Sequence, residues 1–226
     1  MFKPNLVLIQ SDNAEKLFGN VGCKTEFFPN GVDTEKFLPV SLTVKKQLRE
    51  KYGIDTGKFV ILHIGSMQKG RNIHLLGKMQ REDSQVIIVG STSTGIEQDI
   101  YQSLRNSGCF IWMDYIENIE EVYKLSDCYI FPTRNAVSSI EMPLTVLEAM
   151  ACNLPVISTK FGALPRIFES KDGLIFADEE EDFIEGLEKV RNGIEVRNRE
   201  RILPYSWKNI VQKLIEIYRR ILEEQL

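Results

Sequence analysis

Short apolar runs rich in β-branched and aromatic residues recur along most of the chain. They occupy residues 59–64, 85–89, 109–112, 128–131, 155–159 and 173–176. Their centres are about 18 to 27 residues apart, which is too far for hairpins but fits helical crossovers. Each run is continuously apolar, as in parallel strands that are covered on both faces. The pattern predicts an α/β fold with one doubly wound parallel sheet, from about Glu26 to Phe176.

The segments between these runs have the spacing of helices. Apolar residues such as Leu144, Leu147 and Ala151 recur on one helical face. Ser206 is a suitable N-cap for a last helix, whose apolar stripe includes Ile210 and Ile217. Helices between parallel strands are the crossovers that a doubly wound sheet requires.

The first fifty residues follow a different pattern. It predicts a strand (6–9), a helix (12–18), a second strand (26–28) and a polar connection (35–52). Ser11 is a candidate cap for the first helix. The Asn30-Gly31 pair predicts a turn with positive φ. We therefore divide the chain into residues 1–25, an α/β domain over 26–204 and a carboxy-terminal helix over 205–226.

Composition narrows the class of protein. The 226 residues are 43% hydrophobic and 27% charged, as in ordinary globular proteins. A net charge of −4 argues against nucleic acid as a partner. No apolar run approaches the ~18 residues that span a bilayer, and the start lacks a secretory signal pattern. The sequence therefore predicts a cytoplasmic chain without a transmembrane segment.

The cysteines and histidines indicate neither disulfides nor a metal site. Cys23, Cys109, Cys128 and Cys152 lie far apart, and no Cys-x-x-Cys motif occurs. Both histidines are distant from every cysteine along the chain. His63 lies within an apolar run, which favours a core histidine over a catalytic one. We expect no metal and no cofactor.

One candidate site follows the first long run, because ligands bind at the carboxyl ends of parallel strands. The segment 64–72 contains Gly65, Ser66, Lys69 and Arg71. Glycines permit close backbone approach, free amides at a helix start bind anions, and the two cations suit a phosphate. The segment matches neither a Walker loop nor Gly-x-Gly-x-x-Gly. A surface turn with two solvated cations is the alternative.

A second candidate site opens the helix that follows the run at 128–131. Its motif runs from Ser138 to Ala151 and includes Met142, Pro143, Leu144, Thr145 and Glu148. Glu148 stands among apolar residues, and a buried carboxylate needs a partner or a ligand. Carboxylates accept hydrogen bonds from vicinal sugar hydroxyls, as in dinucleotide-binding folds. A structural ion pair, or an outward-pointing side chain, is the alternative.

Three motifs together resemble glycosyltransferase family four. They are Asn30-Gly31-Val32-Asp33 after Pro29, the Gly65…Lys69-Gly70 loop, and the segment 144–157 from Leu144 to Ile157. The order and spacing match over nearly the whole chain. The resemblance implies one Rossmann-like, donor-binding half of a GT-B fold. It also implies retaining transfer from a nucleotide sugar. In that case residues 1–25 are the remnant of an amino-terminal acceptor domain or a connecting strand and helix.

The resemblance also implies roles for two glutamates. In the family, the second glutamate of the motif accepts the ribose hydroxyls, which matches Glu148. The first contacts the transferred sugar and precedes the second by seven intervening residues. Here only six residues separate Glu141 from Glu148, and the ungapped position is Ile140. Either the loop is one residue shorter and Glu141 makes the contact, or the contact is lost; we favour the first.

The phosphate loop departs from the family pattern. Ser66 stands where the family usually has an arginine, so Lys69 remains and Arg71 is a candidate replacement. These cations and the backbone amides of 142–145 would stabilise the leaving diphosphate. We therefore predict Lys69 and Glu141 as catalytic residues. Gly65, Ser66, Arg71, Met142, Pro143, Leu144, Thr145 and Glu148 are predicted to bind the donor.

Two other classes of function remain open. A GT-B epimerase would convert a nucleotide sugar without releasing the nucleotide. A binding module or donor subunit would bind the nucleotide sugar without turnover. The acceptor half is largely absent from the sequence pattern, so we expect an amino-terminal domain on a separate chain, or self-association.

Overall fold

A computed structural model describes residues 4–91, 94–135 and 139–224. Ser138, which opens the second candidate motif, lies outside them. The strands are β1 (Val7–Ile9), β2 (Thr25–Phe27), β3 (Phe59–Gly65), β4 (Ser84–Gly90), β5 (Phe110–Trp112), β6 (Cys128–Phe131), β7 (Val156–Ser158) and β8 (Leu174–Phe176). The α-helices are α1 (Asp12–Asn20), α2 (Leu42–Lys51), α3 (Gln98–Asn106), α4 (Ile119–Leu125), α5 (Leu144–Ala151), α6 (Leu164–Ile167), α7 (Glu180–Arg191), α8 (Asn198–Ile202) and α9 (Trp207–Glu223). Short 3-10 helices occupy Lys69–Arg71, Ile73–Met79 and Leu203–Tyr205.

A six-stranded parallel sheet confirms the predicted doubly wound α/β fold. Its strand order is β5-β4-β3-β6-β7-β8. The chain therefore builds outward from β3 to β5, returns to the centre at β6 and builds the other way. The direction reverses between β3 and β6, and such a switch point leaves a crevice at the carboxyl ends of the strands. Both candidate sites follow these two strands.

The core fills both faces of the sheet, which explains the continuously apolar runs. Successive side chains of a strand point to opposite faces. Val60 and Leu62 pack in one cluster with residues of α4 and α5, such as Leu147. Ile61, between them, packs in the other cluster, which includes Ile73 and Phe183. Both sets of side chains are removed from water.

The leading segment corrects the predicted extent of the sheet. β2 pairs in parallel with β1 in a separate two-stranded sheet, so the six-stranded sheet begins at Phe59 and not near Glu26. β1, α1 and β2 form a compact unit in which the crossover returns the chain beside its first strand. The strand predicted over residues 26–28 therefore exists as β2, but it belongs to another sheet.

The polar connection predicted over residues 35–52 contains helix α2. Ser41 caps it, because its Oγ accepts a hydrogen bond from the Val44 amide at 3.3 Å. Arg49 is its buried residue, so α2 lacks the apolar face by which helices are predicted. The Arg49 guanidinium instead pairs with Asp127 at 2.5 Å and donates to the Leu125 carbonyl oxygen at 2.9 Å. This tertiary polar contact holds α2 in place together with Leu48, which packs partly buried against the core.

The positive φ predicted for the Asn30-Gly31 turn is wrong. Neither residue is among those with positive φ in the described chain. Gly31 makes room for a neighbour: an added Cβ would lie 2.7 Å from Cε3 of Trp207. The adjacent Val32 exchanges backbone hydrogen bonds with Tyr205 and Trp207 at 3.0 and 3.1 Å. Close packing against α9 is therefore the reason for glycine here.

Helix α9 is amphipathic and half covered. Ser206 caps it as predicted, accepting from the Asn209 amide at 3.4 Å. Ile210 and Ile217 face the core, whereas Trp207, Val211, Tyr218 and Leu222 are exposed. Within the described ranges, no helix has both the length and the apolar character needed to cross a membrane.

The four cysteines are free thiols, as predicted. Cys109, Cys128 and Cys152 are buried, and burial raises the pKa of each thiol. Among the residues that the structure describes, no group of three or more His, Cys, Asp or Glu side chains is placed to hold a metal ion.

Candidate functional site

The carboxyl ends of β3 and β6 bring the two candidate sites together. Tyr129, on β6, donates a long hydrogen bond of 3.4 Å from its hydroxyl to the Ile64 carbonyl oxygen at the end of β3. The Thr145 side chain, in the first turn of α5, lies beside the same phenol and opposes the rise in its pKa that burial causes. The loop after β3 and the start of α5 therefore border one crevice at the switch point.

Gly65 ends β3 and allows Arg71 to lie against the backbone. An added Cβ at Gly65 would lie 3.1 Å from Arg71 Nη1 and 3.2 Å from His63 Nε2. The Arg71 side chain is half-buried, and burial lowers its pKa. The loop thus folds a guanidinium back beneath the glycine, in the region where the sequence predicts a phosphate.

His63 is a core histidine, as predicted. Its ring is fully buried, and Nδ1 lies 2.9 Å from the Ile130 carbonyl oxygen. Nδ1 therefore carries the hydrogen in the neutral ring, and Nε2 presents a lone pair. Burial lowers the pKa of His63 to about 4, with the charge of Arg71 acting in the same direction. The imidazole stays neutral near pH 7.

Several buried polar atoms of this loop lack a hydrogen-bond partner among the described residues. They are His63 Nε2, Ser66 Oγ and Arg71 Nε. Buried polar atoms in folded proteins nearly always have a partner, which is either protein, ordered water or a ligand. Their gathering at one strand end marks this loop as a place for a polar ligand or bound water. Ser66 contributes a buried hydroxyl where the resemblance led us to look for a cation.

Lys69 lies on the solvent side of the same loop. Its side chain is 72% exposed, and Nζ lies 3.0 Å from the Asp99 carboxylate. The hydrogen bond with Asp99 raises the pKa of Lys69, and its backbone amide donates to Glu97 at 2.9 Å. Exposed ion pairs contribute little to stability, so an anionic ligand can displace Asp99 at little cost. The structure thus separates an outer cation, Lys69, from an inner one, Arg71.

Glu148 is held by a phenol and not by a cation. It lies in α5, half-buried, and Tyr123 of α4 donates a hydrogen bond to its Oε2 at 2.6 Å. Burial raises the pKa of the Glu148 carboxyl, while the Tyr123 hydrogen bond and the charge of Lys36 oppose that rise. The predicted alternative of a structural ion pair is therefore not what the structure shows. Sequence reasoning missed Tyr123, because its contact with Glu148 joins residues of two different helices.

The start of α5 presents backbone amides to the crevice. Pro143 occupies the N-cap position without a side-chain cap, and Met142 and Pro143 are buried. Leu144 is exposed and Thr145 is half-buried. Asn30 fixes this turn from the leading segment, donating from Nδ2 to the Met142 carbonyl oxygen at 3.0 Å. The sequence had marked Asn30 as a turn residue and as part of a family motif, without predicting this contact.

Glu141 lies at the junction with the leading segment. It is half-buried and lines a cleft of about 260 Å³ together with Ser11 and Asp12 of the α1 start and with Lys160 and Gly162. The Glu141 carbonyl oxygen accepts from the amide of Ala163 at 2.8 Å, and Gly162 adopts a positive φ of 53° against it. Its neighbour Ile140, at the ungapped family position, is 52% exposed.

The sequence matches the family described as glycosyl transferases group 1 over residues 58–192. This match covers the six-stranded sheet and both candidate loops. The chain belongs to the group 1 glycosyl transferases. The predicted family is thereby confirmed.

Curated relatives of this group 1 glycosyl transferase are about a quarter identical to it over the aligned regions. D-inositol 3-phosphate glycosyltransferase of Geodermatophilus obscurus is 26% identical over 97% of this chain and 53% of its own length. Alpha-galactosylglucosyldiacylglycerol synthase of Streptococcus pneumoniae is 26% identical over 59% of this chain and 37% of its own length. The chain spans about half the length of the curated relatives it matches.

Solved structures share the fold. Sucrose-phosphate synthase of Thermosynechococcus elongatus superposes with a TM-score of 0.78 at 17% identity, over 97% of this chain and 59% of that one. The Anabaena protein HepE in complex with UDP-glucose superposes with a TM-score of 0.76 at 19% identity, over 96% and 64%. These superpositions confirm the predicted α/β, Rossmann-like fold with a doubly wound parallel sheet.

Proposed function

We propose that this chain is the donor-binding half of a retaining glycosyltransferase and binds the nucleoside diphosphate of a nucleotide sugar. The observation that carries the proposal is the half-buried Glu148 carboxylate, anchored by a phenol at the switch point of the sheet. A carboxylate offers about four lone-pair positions, of which Tyr123 uses one. The others can accept the vicinal hydroxyls of a ribose.

The same crevice supplies positive charge for the diphosphate. The Arg71 guanidinium lies against Gly65. Lys69 becomes available to the diphosphate when its exposed ion pair with Asp99 is broken. Backbone amides in the first turn of α5, at Leu144 and Thr145, add the partial positive charge of a helix start. Together these groups would stabilise the charge that develops on the leaving diphosphate as the glycosidic bond breaks.

Glu141 would contact the transferred sugar. Its cleft borders the α1 start, so the sugar would lie between the leading segment and α5. We assign Glu141 an orienting role, in which its carboxylate accepts sugar hydroxyls. From family membership we propose that transfer retains the anomeric configuration of the sugar. NMR of the anomeric proton of the first product formed tests this.

Donor binding is tested with a charge-only substitution. Glu148→Gln keeps an oxygen for the Tyr123 hydroxyl but removes the charge. Losing a hydrogen bond to a charged group costs about 1.5–3 kcal/mol, which is roughly a 10- to 150-fold loss of affinity. Calorimetry with UDP, GDP, ADP and their glucose or mannose conjugates measures it, with and without a chelator.

Glu121→Gln is the matched control, because Glu121 also accepts from a tyrosine hydroxyl, that of Tyr52, at 2.6 Å, but lies on α4 and not on α5. It should leave nucleotide affinity unchanged. Equal affinities of the wild type and Glu148→Gln would refute the ribose assignment.

We further propose that transfer requires an acceptor half outside these 226 residues, on the same or another polypeptide or on a second copy. The chain spans about half of its relatives' length, and α9 exposes Trp207, Val211, Tyr218 and Leu222 on one side. Exposed apolar patches of this kind favour association. Gel filtration and a transfer assay test this proposal. Efficient transfer by a monomeric preparation of these residues would contradict it.

A further inference from the structure

We propose that Tyr123 is a positioning residue, whose hydroxyl sets the orientation in which Glu148 meets the ribose of the ligand. This inference rests on the proposed function and adds to it a residue that the sequence motifs do not contain. Its basis is the 2.6 Å hydrogen bond between the Tyr123 hydroxyl and Glu148 Oε2.

The Tyr123 ring cannot turn away from Glu148. It is fully buried and packs edge-on against Phe37 with ring centroids 5.5 Å apart. The ring of Tyr129 lies 5.8 Å away on another side. Two buried aromatic neighbours from different parts of the chain therefore fix the direction of the hydroxyl.

The hydroxyl also remains a donor across the physiological pH range. Burial, together with the Glu148 carboxylate, holds the pKa of Tyr123 well above its ordinary value. A phenol has one hydrogen to donate, and here Glu148 Oε2 accepts it. Among the described residues, Oε1 of Glu148 has no hydrogen-bond partner, so the fixed carboxylate directs Oε1 and one remaining lone pair of Oε2 to a ligand.

Four titratable side chains surround the Glu148 carboxylate. They are Tyr123 from α4, Tyr129 from β6, Cys152 after α5 and Lys36 from the segment before α2. Burial of the Tyr129 phenol and the Cys152 thiol raises the pKa of each, so both stay neutral. Lys36 is partly exposed and pairs with Glu120 at 3.4 Å. Tyr123 is therefore the neighbour whose loss changes Glu148 most directly.

The test compares Tyr123→Phe with Tyr52→Phe. Tyr52 makes the same phenol-to-carboxylate bond, also 2.6 Å, to Glu121. We expect Tyr123→Phe to weaken binding of whichever of UDP, GDP or ADP the wild type binds by about tenfold. For the 2′,3′-dideoxy form of the same nucleotide, Tyr123→Phe should weaken binding by less than about twofold, because that ligand has no ribose hydroxyls to offer Glu148. Tyr52→Phe should change neither.

The pH dependence supplies a readout that a structural role would not move. The Tyr123 hydrogen bond favours the ionised form of Glu148, so its removal should raise the carboxyl pKa. Ligand affinity should then fall at a higher pH than in the wild type. An unshifted profile would overturn the inference.

A double variant distinguishes a positioning role of Tyr123 from general damage to the fold. In a Glu148→Ala background, Tyr123→Phe should have no further effect on affinity, since Tyr123 acts through Glu148. Equal losses for the ribose and dideoxy ligands, or equal losses in both backgrounds, would overturn the positioning role. A wild type that binds none of the three nucleotides would instead overturn the proposed function, so the two failures are distinguishable.

Discussion

Protonation of His63 should destabilise the folded chain in mild acid. Burial lowers its pKa from 6.5 to about 4. The unfolded chain therefore binds more protons than the folded one between these values. Stability from the neutral imidazole is complete above pH 6.5 and is lost as the pH falls through this window. At 1.36 kcal/mol per pKa unit the whole effect is about 3 kcal/mol, of which about 2 kcal/mol is lost by pH 5.

The assay is urea unfolding of the wild type and His63→Asn at several pH values from 7.5 to 5. The Asn side-chain amide can still donate to the Ile130 carbonyl oxygen, which the imidazole Nδ1 contacts at 2.9 Å. The variant will be less stable near neutral pH, because the smaller side chain leaves a cavity. The difference between the two proteins should shrink by about 2 kcal/mol at pH 5.

Subtracting the variant removes the contribution of every other titrating group that the two proteins share. Parallel stability curves for the two proteins would refute the reasoning. They would mean that His63 accepts a proton in the folded state as easily as in the unfolded one.

Three further predictions concern the phosphate loop and the packing of the chain. Lys69→Ala should weaken binding of a nucleoside diphosphate much more than of the bare nucleoside, measured by calorimetry, and equal losses would make Lys69 structural. Gly31→Ala should cost about 1–3 kcal/mol in urea unfolding, because the new Cβ would overlap Trp207, and an unchanged midpoint would show that the indole moves freely. Arg49→Met should cost about 1–3 kcal/mol, because three carbonyl groups lose their guanidinium donor and Asp127 keeps only Lys45 as a cation. Its control, Lys51→Met, breaks only an exposed pair and should cost less than about 1 kcal/mol.

The sequence alone determined the main sheet and the family. Strands buried on both faces need continuous apolar runs, so the six strands stand out without any tertiary information. Two serines placed before amphipathic patterns identified the caps of α1 and α9, because capping is a contact within a few residues. The motifs between Asn30 and α5 identified the family, since each motif is a short run of neighbouring residues.

The tertiary structure decided what depends on contacts between distant residues. Helix α2 was missed because its most deeply buried residue is Arg49, which contacts Asp127, 78 residues away in the chain. β2 was assigned to the wrong sheet, since its pattern predicts a strand but not its neighbour. Gly31 was given the wrong reason, because Trp207 lies 176 positions later in the chain.

The candidate site shows the same division. A lone carboxylate in an apolar helix was visible in the sequence as Glu148. Its partner, Tyr123, comes from another helix, and nothing in the spacing of α4 separates a core phenol from one that donates to a carboxylate. Likewise, the sequence placed Lys69 and Arg71 in one loop, Lys69 as a catalytic residue and Arg71 as a candidate replacement for the family's arginine. Only the fold turns Lys69 outward to Asp99 and Arg71 inward against Gly65, because burial and side-chain direction are set by the packed neighbours.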